Sequence, residues 1–113
     1  ITLDFLLIRL NNVITNLIVH PKNMQNNLYK FRGLIFSQGV MLKLTQKGVK
    51  RENAYKIVQK NAMKTWDRNE DFYENLKRDK SIKENLSPKE LKQLFNINYH
   101  KRYINHILGR VLK

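Results

Sequence analysis

The stretch Thr2-Leu3-Asp4-Phe5-Leu6-Leu7-Ile8-Arg9-Leu10-Asn11-Asn12-Val13-Ile14-Thr15-Asn16-Leu17-Ile18-Val19-His20-Pro21 decides the fold class. Leu3, Leu6, Leu7, Leu10, Val13, Ile14, Leu17 and Ile18 recur at three and four, the spacing that stacks side chains on one face of a helix. Thr2 is a candidate N-cap, and Pro21 disfavours helical geometry at His20, so the helix is expected to end there. Roughly 18 residues at about 1.5 Å each make a rod near 27 Å long. Arg9, Asn11, Asn12 and Asn16 are left for the other side. So wide an apolar stripe belongs in a bundle and not on a helix alone in water. The chain begins at Ile1 and not Met, with periodicity starting at once, and is therefore expected to be cut from something longer.

Outward from that stretch the helical pattern continues. Pro21 suits the first turn of a second helix. Leu28, Leu34, Ile35, Val40, Met41 and Leu44 resume the spacing up to Gly48, and Gly33 and Gly39 mark a break or a close crossing. Residues 50–66 read as a helix burying Ala54, Tyr55, Ile57, Val58, Ala62 and Trp66. Val49 is placed to staple onto Ala54, although Lys50 is a poor cap. Phe72, Tyr73 and Leu76 mark a shorter helix within 69–79. Ser87, Pro88 and Glu90 form the cleanest local signal, a capping box with proline at the first helical position. The helix they open should bury Leu91, Leu94 and Phe95, and a last one follows Asn98 with Tyr103, Ile107, Leu108 and Val111. No segment alternates with period two. The expected fold class is all-α.

Composition removes several classes of function. The 113 residues hold no Cys, which excludes a disulfide scaffold and a thiolate nucleophile or metal site, and fits a reducing compartment. Phe5–Ile8, the longest apolar run, falls far short of the roughly 18 residues of a membrane helix. The net charge is +13, concentrated in residues 31–66 (+7) and 91–113 (+5), which raises the question of a nucleic-acid partner. Yet the chain holds 15 Lys, 14 Asn and 10 Ile, an excess that an AT-rich coding sequence supplies whatever the function. Lys56, Lys60 and Lys64, and likewise Lys43, Lys47 and Arg51, form basic stripes at helical spacing. No aromatic residue interleaves on the same face for base stacking, so solvated helix faces account for them better than polyanion binding.

Candidate chemistry is sparse. His100 and His106 lie about 240° apart around a helix and cannot share a metal, and His20 is remote. Glu70, Asp71 and Glu74 read as favourable charge in the first turn of a helix and not as a cation site. No glycine-rich phosphate loop or nucleophile elbow occurs in the sequence. No catalytic, cofactor-binding or metal-ligating residue is assigned.

Polar identities say more than periodicity. Leu3-Asp4-Phe5-Leu6-Leu7-Ile8-Arg9-Leu10 followed by Asn16-Leu17-Ile18-Val19-His20-Pro21-Lys22-Asn23-Met24 resembles the segment joining the central helical domain to the C-terminal domain in bacterial-type adenylosuccinate lyases. Gly33-Leu34-Ile35-Phe36-Ser37-Gln38, Arg51-Glu52-Asn53-Ala54-Tyr55-Lys56-Ile57-Val58-Gln59-Lys60-Asn61-Ala62 and Leu94-Phe95-Asn96-Ile97-Asn98-Tyr99-His100 continue it in order. The resemblance implies a member of the fumarase/aspartase superfamily, cytoplasmic homotetramers with a shared central bundle and active sites built from three subunits. It implies release of fumarate from adenylosuccinate, giving AMP, and from the succinylated aminoimidazole carboxamide ribonucleotide, with no cofactor. That elimination needs a base for the proton beside a carboxylate and an acid for the leaving nitrogen. The family's Ser-loop signature, resembling S-S-x-M-P-x-K-x-N-P, does not occur in this sequence, and its phosphate-binding stretch would lie upstream of Ile1. Two departures stand out: Gly39 where relatives generally carry Arg, and Lys50 where a Ser or Thr cap is expected.

The resemblance therefore implies the end of the last long bundle helix over residues 1–20 and a small helical domain over 21–113. Such a piece is expected to supply structure without catalytic groups. It should self-associate through residues 3–18 or fold that helix back onto 28–112. A free-standing basic module that binds nucleic acid is the alternative.

Overall fold

The computed structural model describes residues 1–112. The helices are α1 (Thr2–Thr15), α2 (Pro21–Tyr29), α3 (Ser37–Gln46), α4 (Arg51–Arg68), α5 (Phe72–Arg78), α6 (Lys80–Asn85), α7 (Pro88–Leu94), α8 (Asn98–Lys101) and α9 (Ile104–Val111), with a 3-10 turn at Leu34–Phe36. Among the described residues there is no strand, and the all-α expectation holds.

The core lies between α3 and α7. Val40 and Leu44 of α3 meet Ala54 and Val58 of α4, Phe72 and Leu76 of α5, Ile82 of α6, Leu86 at the end of α6 and Leu91 of α7, all buried. Leu34, Met41, Val49, Tyr73, Leu94 and Phe95 pack around them. The α3–α4 turn follows from one residue. Gly48 takes φ +94, a left-handed conformation that costs glycine little. This lets the Gly48 N–H donate to Thr45 O (3.0 Å) and the Val49 N–H to Leu44 O (3.1 Å), closing the helix end as a Schellman motif. Val49 and Leu44 both enter the core, so the hydrophobic contact that accompanies this motif is present.

A second left-handed turn sets the other side of the core. Arg32 (φ 51) and Gly33 (φ +87) are consecutive residues with positive φ. The Phe72 N–H donates to Arg32 O (3.1 Å), tying this turn to the start of α5. The φ of Gly33 favours glycine, and a Cβ there would stand 3.2 Å from Phe95 Cε1, pressing that ring back by a few tenths of an ångström. Arg32 has no such freedom, and holding it there costs about 1–2 kcal/mol.

Several expectations are corrected. α1 stops at Thr15, so Leu17 and Ile18 leave the helix, and Ile1, not Thr2, is the cap residue. Asn16 ends α1 by bonding Asn12 O from both its backbone N–H (3.1 Å) and its side chain (2.8 Å). α1 does not fold back either: it buries no residue, and its stripe from Leu3 to Ile18 stays 54–76% exposed. Gly39 interrupts nothing and lies within α3. α4 is rotated from the expected face, burying Ala54, Val58, Asn61 and Thr65 while Tyr55 and Trp66 are exposed. Trp66 instead stacks on Phe31, ring centroids 6.0 Å apart. α6 was not foreseen. The helix after Asn98 splits at Arg102 and Tyr103, where the chain is exposed and the Arg102 guanidinium sits over the Tyr99 and Tyr103 rings (4.0 and 4.8 Å).

With both ends unpacked the molecule is elongated, 63 × 32 × 24 Å, with a radius of gyration of 19.8 Å. A compact chain of this length would have about 13 Å.

Candidate functional site

Asp79 ties three helices together. Its backbone is extended between α5 and α6, and its Oδ1 caps α6 by accepting from the Ser81 and Ile82 N–H groups (2.9 and 3.4 Å). Its Oδ2 accepts from Asn61 Nδ2 (3.1 Å) and from Lys60 Nζ (3.3 Å), both on α4. Burial pushes this carboxyl up, but the bonds from Asn61 and Lys60 and the ammonium charge outweigh it, and its pKa lies below the usual aspartate value. Beside it Asn75 Nδ2 donates to Thr65 Oγ1 (3.1 Å). These pairs explain why α4 buries two polar side chains: each meets a partner across the helix interface. Among the described residues the buried Asn61 Oδ1 finds no hydrogen-bond partner.

Glu90 is the second polar junction. The Ser87 hydroxyl accepts from the Glu90 N–H (3.2 Å) while the Glu90 carboxylate accepts from the Ser87 N–H (3.0 Å), the expected capping box. The same carboxylate meets Lys47 Nζ at 2.7 Å and Lys43 Nζ at 3.7 Å, joining α7 to α3. The Lys47 bond and then the Ser87 N–H hold its pKa down to about 2.

The expected basic stripes are therefore partly consumed. Lys43 and Lys47 face Glu90, and Lys60 faces Asp79. In the acidic cluster Asp71 caps α5 by accepting from the Glu74 N–H (3.1 Å), as first-turn charge should. His20 and His106 are exposed and far apart in the chain, whereas His100 lines a groove of about 420 Å³ between α3, α7 and α8 with Gln38, Gly39, Leu42 and Gln93. Among the described residues no three His, Asp or Glu side chains come together to hold a metal ion. Asp79, Asn61, Asn75 and Thr65 escaped sequence reasoning. The only local trace was Asp79 standing three residues before Ile82, a cap ahead of an apolar position.

The family profile described as "Adenylosuccinate lyase C-terminus" matches residues 33–111, starting at the glycine that packs under Phe95 and running through α9. The chain belongs to the adenylosuccinate lyase C-terminal family. An adenylosuccinate lyase of Helicobacter pylori is 46% identical over 123 aligned positions, covering 100% of this chain and 28% of that protein. One of Thermotoga maritima is 40% identical, covering 99% and 26%, and one of Bacillus subtilis 38% identical, covering 98% and 26%. The chain thus spans about a quarter of the length of the curated relatives it matches. α1 and α2 precede the family profile but lie within the aligned region of these lyases. No helix among the described residues is long and apolar enough to cross a membrane.

Proposed function

We propose that the chain is the C-terminal part of a cytoplasmic adenylosuccinate lyase and serves there as scaffold. The whole enzyme would eliminate fumarate from adenylosuccinate, giving AMP, and from the succinylated aminoimidazole carboxamide ribonucleotide. The identity of 38–46% along nearly the entire chain to lyases of three bacteria carries this proposal. Residues 1–20 are assigned to the end of the last long bundle helix and 21–113 to the small C-terminal domain. The exposed apolar stripe of α1 supports a bundle partner, since full burial of each such side chain is worth about 1.5–3 kcal/mol. Homo-oligomerisation, a tetramer in the whole enzyme, would supply that burial.

The scaffold role is supported by how the chain spends its perturbed acids. Asp79 and Glu90, whose pKa values are displaced, are engaged by helix N–H groups and lysines and hold helices together. The test is fumarate release from adenylosuccinate, followed by ultraviolet absorbance, for a polypeptide of the relatives' full length ending in this sequence and for the 113 residues alone. The long polypeptide should turn over and the short one should not. Turnover by the short chain would overturn the scaffold role, and an inactive, folded long polypeptide would overturn the lyase assignment.

A further inference from the structure

A hollow of about 880 Å³ opens beside the left-handed turn. That is within the roughly 300–1,000 Å³ of small-molecule sites. Three aromatic residues line it, Tyr29, Tyr73 and Phe95, with Tyr73 edge-on to Phe95 at 5.1 Å between centroids. Three cations from two places in the chain also line it: Arg32 from the turn, Lys89 and Lys92 from α7. Asp71 lines it too, but its carboxylate already accepts the Glu74 N–H. Among the described residues no carboxylate lies within ion-pair distance of Arg32, Lys89 or Lys92, unlike Lys43, Lys47 and Lys60.

The backbone supplies an independent pointer. Arg32 sits at φ 51, where stability alone favours glycine, asparagine or aspartate. The Phe72 N–H bond to Arg32 O uses this backbone, but glycine or asparagine would carry it at lower cost, and what arginine adds is a cation lining the hollow.

We propose that this hollow binds a planar aromatic ring bearing a phosphate, the chemistry of a mononucleotide, with the ring against Tyr29 and Tyr73 and the phosphate between Arg32, Lys89 and Lys92. Aromatic faces and guanidinium groups accept such rings without reading their edges, and lysine and arginine pair with the phosphate. The site is separate from the lyase assignment and does not depend on it.

Titration of the 113-residue chain with uridine 5′-monophosphate, followed by NMR shifts of the tyrosine rings, tests the proposal against uridine and inorganic phosphate as half-ligands. The mononucleotide should bind at least about tenfold tighter than either half. Lys89→Gln with Lys92→Gln should weaken it about tenfold at unchanged melting temperature, and Tyr29→Leu about fivefold or more. Arg32→Gly should weaken binding without lowering the melting temperature, a separation that a purely structural arginine would not give. Equal affinity for inorganic phosphate and the nucleotide would overturn the proposal. So would binding of a ten-residue oligothymidylate without any binding of the mononucleotide, or variants that bind as the parent does.

Discussion

At the scale of single residues, two carboxylates make the fold sensitive to acid. Glu90 is held at about 2 in the folded chain against an ordinary value of 4.5. A depressed folded pKa means that the folded state binds fewer protons than the unfolded chain, so Glu90 contributes stability above pH 4.5 and loses it as pH falls toward 2. Asp79 acts with the same sign below its ordinary 3.8. Urea unfolding followed by circular dichroism should therefore show stability declining over that window. Glu90→Gln should be less stable than the parent at pH 7 and converge with it near pH 2. A gap of the same size at both pH values would refute the assignment. Asp79→Ala should cost more, about 2–4 kcal/mol, because it removes a cap and takes from buried Asn61 its partner across the helices, leaving only the bond to Ile57 O. Gly33→Ala should cost about 1–3 kcal/mol from its φ and its approach to Phe95, readable as a lower urea midpoint. The Ser87–Glu90 box was legible in sequence because all its atoms fall within four residues. The lysines that complete Glu90 come from a helix far upstream, and no local pattern announces them.

At the scale of helices, legibility follows the same division. The α3 ending was readable because Gly48 alone dictates it, and α2 because Pro21 does. The buried face of α4 was not, since hydrophobicity nominates Tyr55 and Trp66 while the structure buries Asn61 and Thr65. Asn61 meets Ile57 O within α4, but its second bond and Thr65's partner come from Asp79 and Asn75 on the neighbouring elements. α6, six residues long in a charged stretch, has too few turns to show a period. A pair of substitutions separates the two views of α4. Trp66, 62% exposed and stacked on Phe31, should cost only about 0.5–1.5 kcal/mol when replaced by Ala. Leu44→Ala, at a site of zero exposure, should cost about 2–5 kcal/mol. Equal losses in denaturant melts would return Trp66 to the core.

For the whole molecule, the unpacked α1 is the determining feature. An isolated helix shorter than about 12–15 residues is marginal in water, and α1 at 14 residues buries nothing within its own chain. Its persistence thus depends on other surfaces covering Leu3, Leu6, Leu7, Leu10, Val13 and Ile14. If copies of the chain supply that cover, association and α1 stability are one equilibrium, linked by mass action. Sedimentation of the 113-residue chain should then show mass rising with concentration. Amide exchange in α1 should slow over the same range, while α3 and α4 stay protected throughout. Leu6→Lys with Leu10→Lys should abolish the association yet leave the near-ultraviolet dichroism of the core intact, because α1 shares no buried residue with it. A chain that stays monomeric at every concentration with α1 amides protected would show that the stripe needs no partner, and the bundle assignment for residues 1–20 would fall with it.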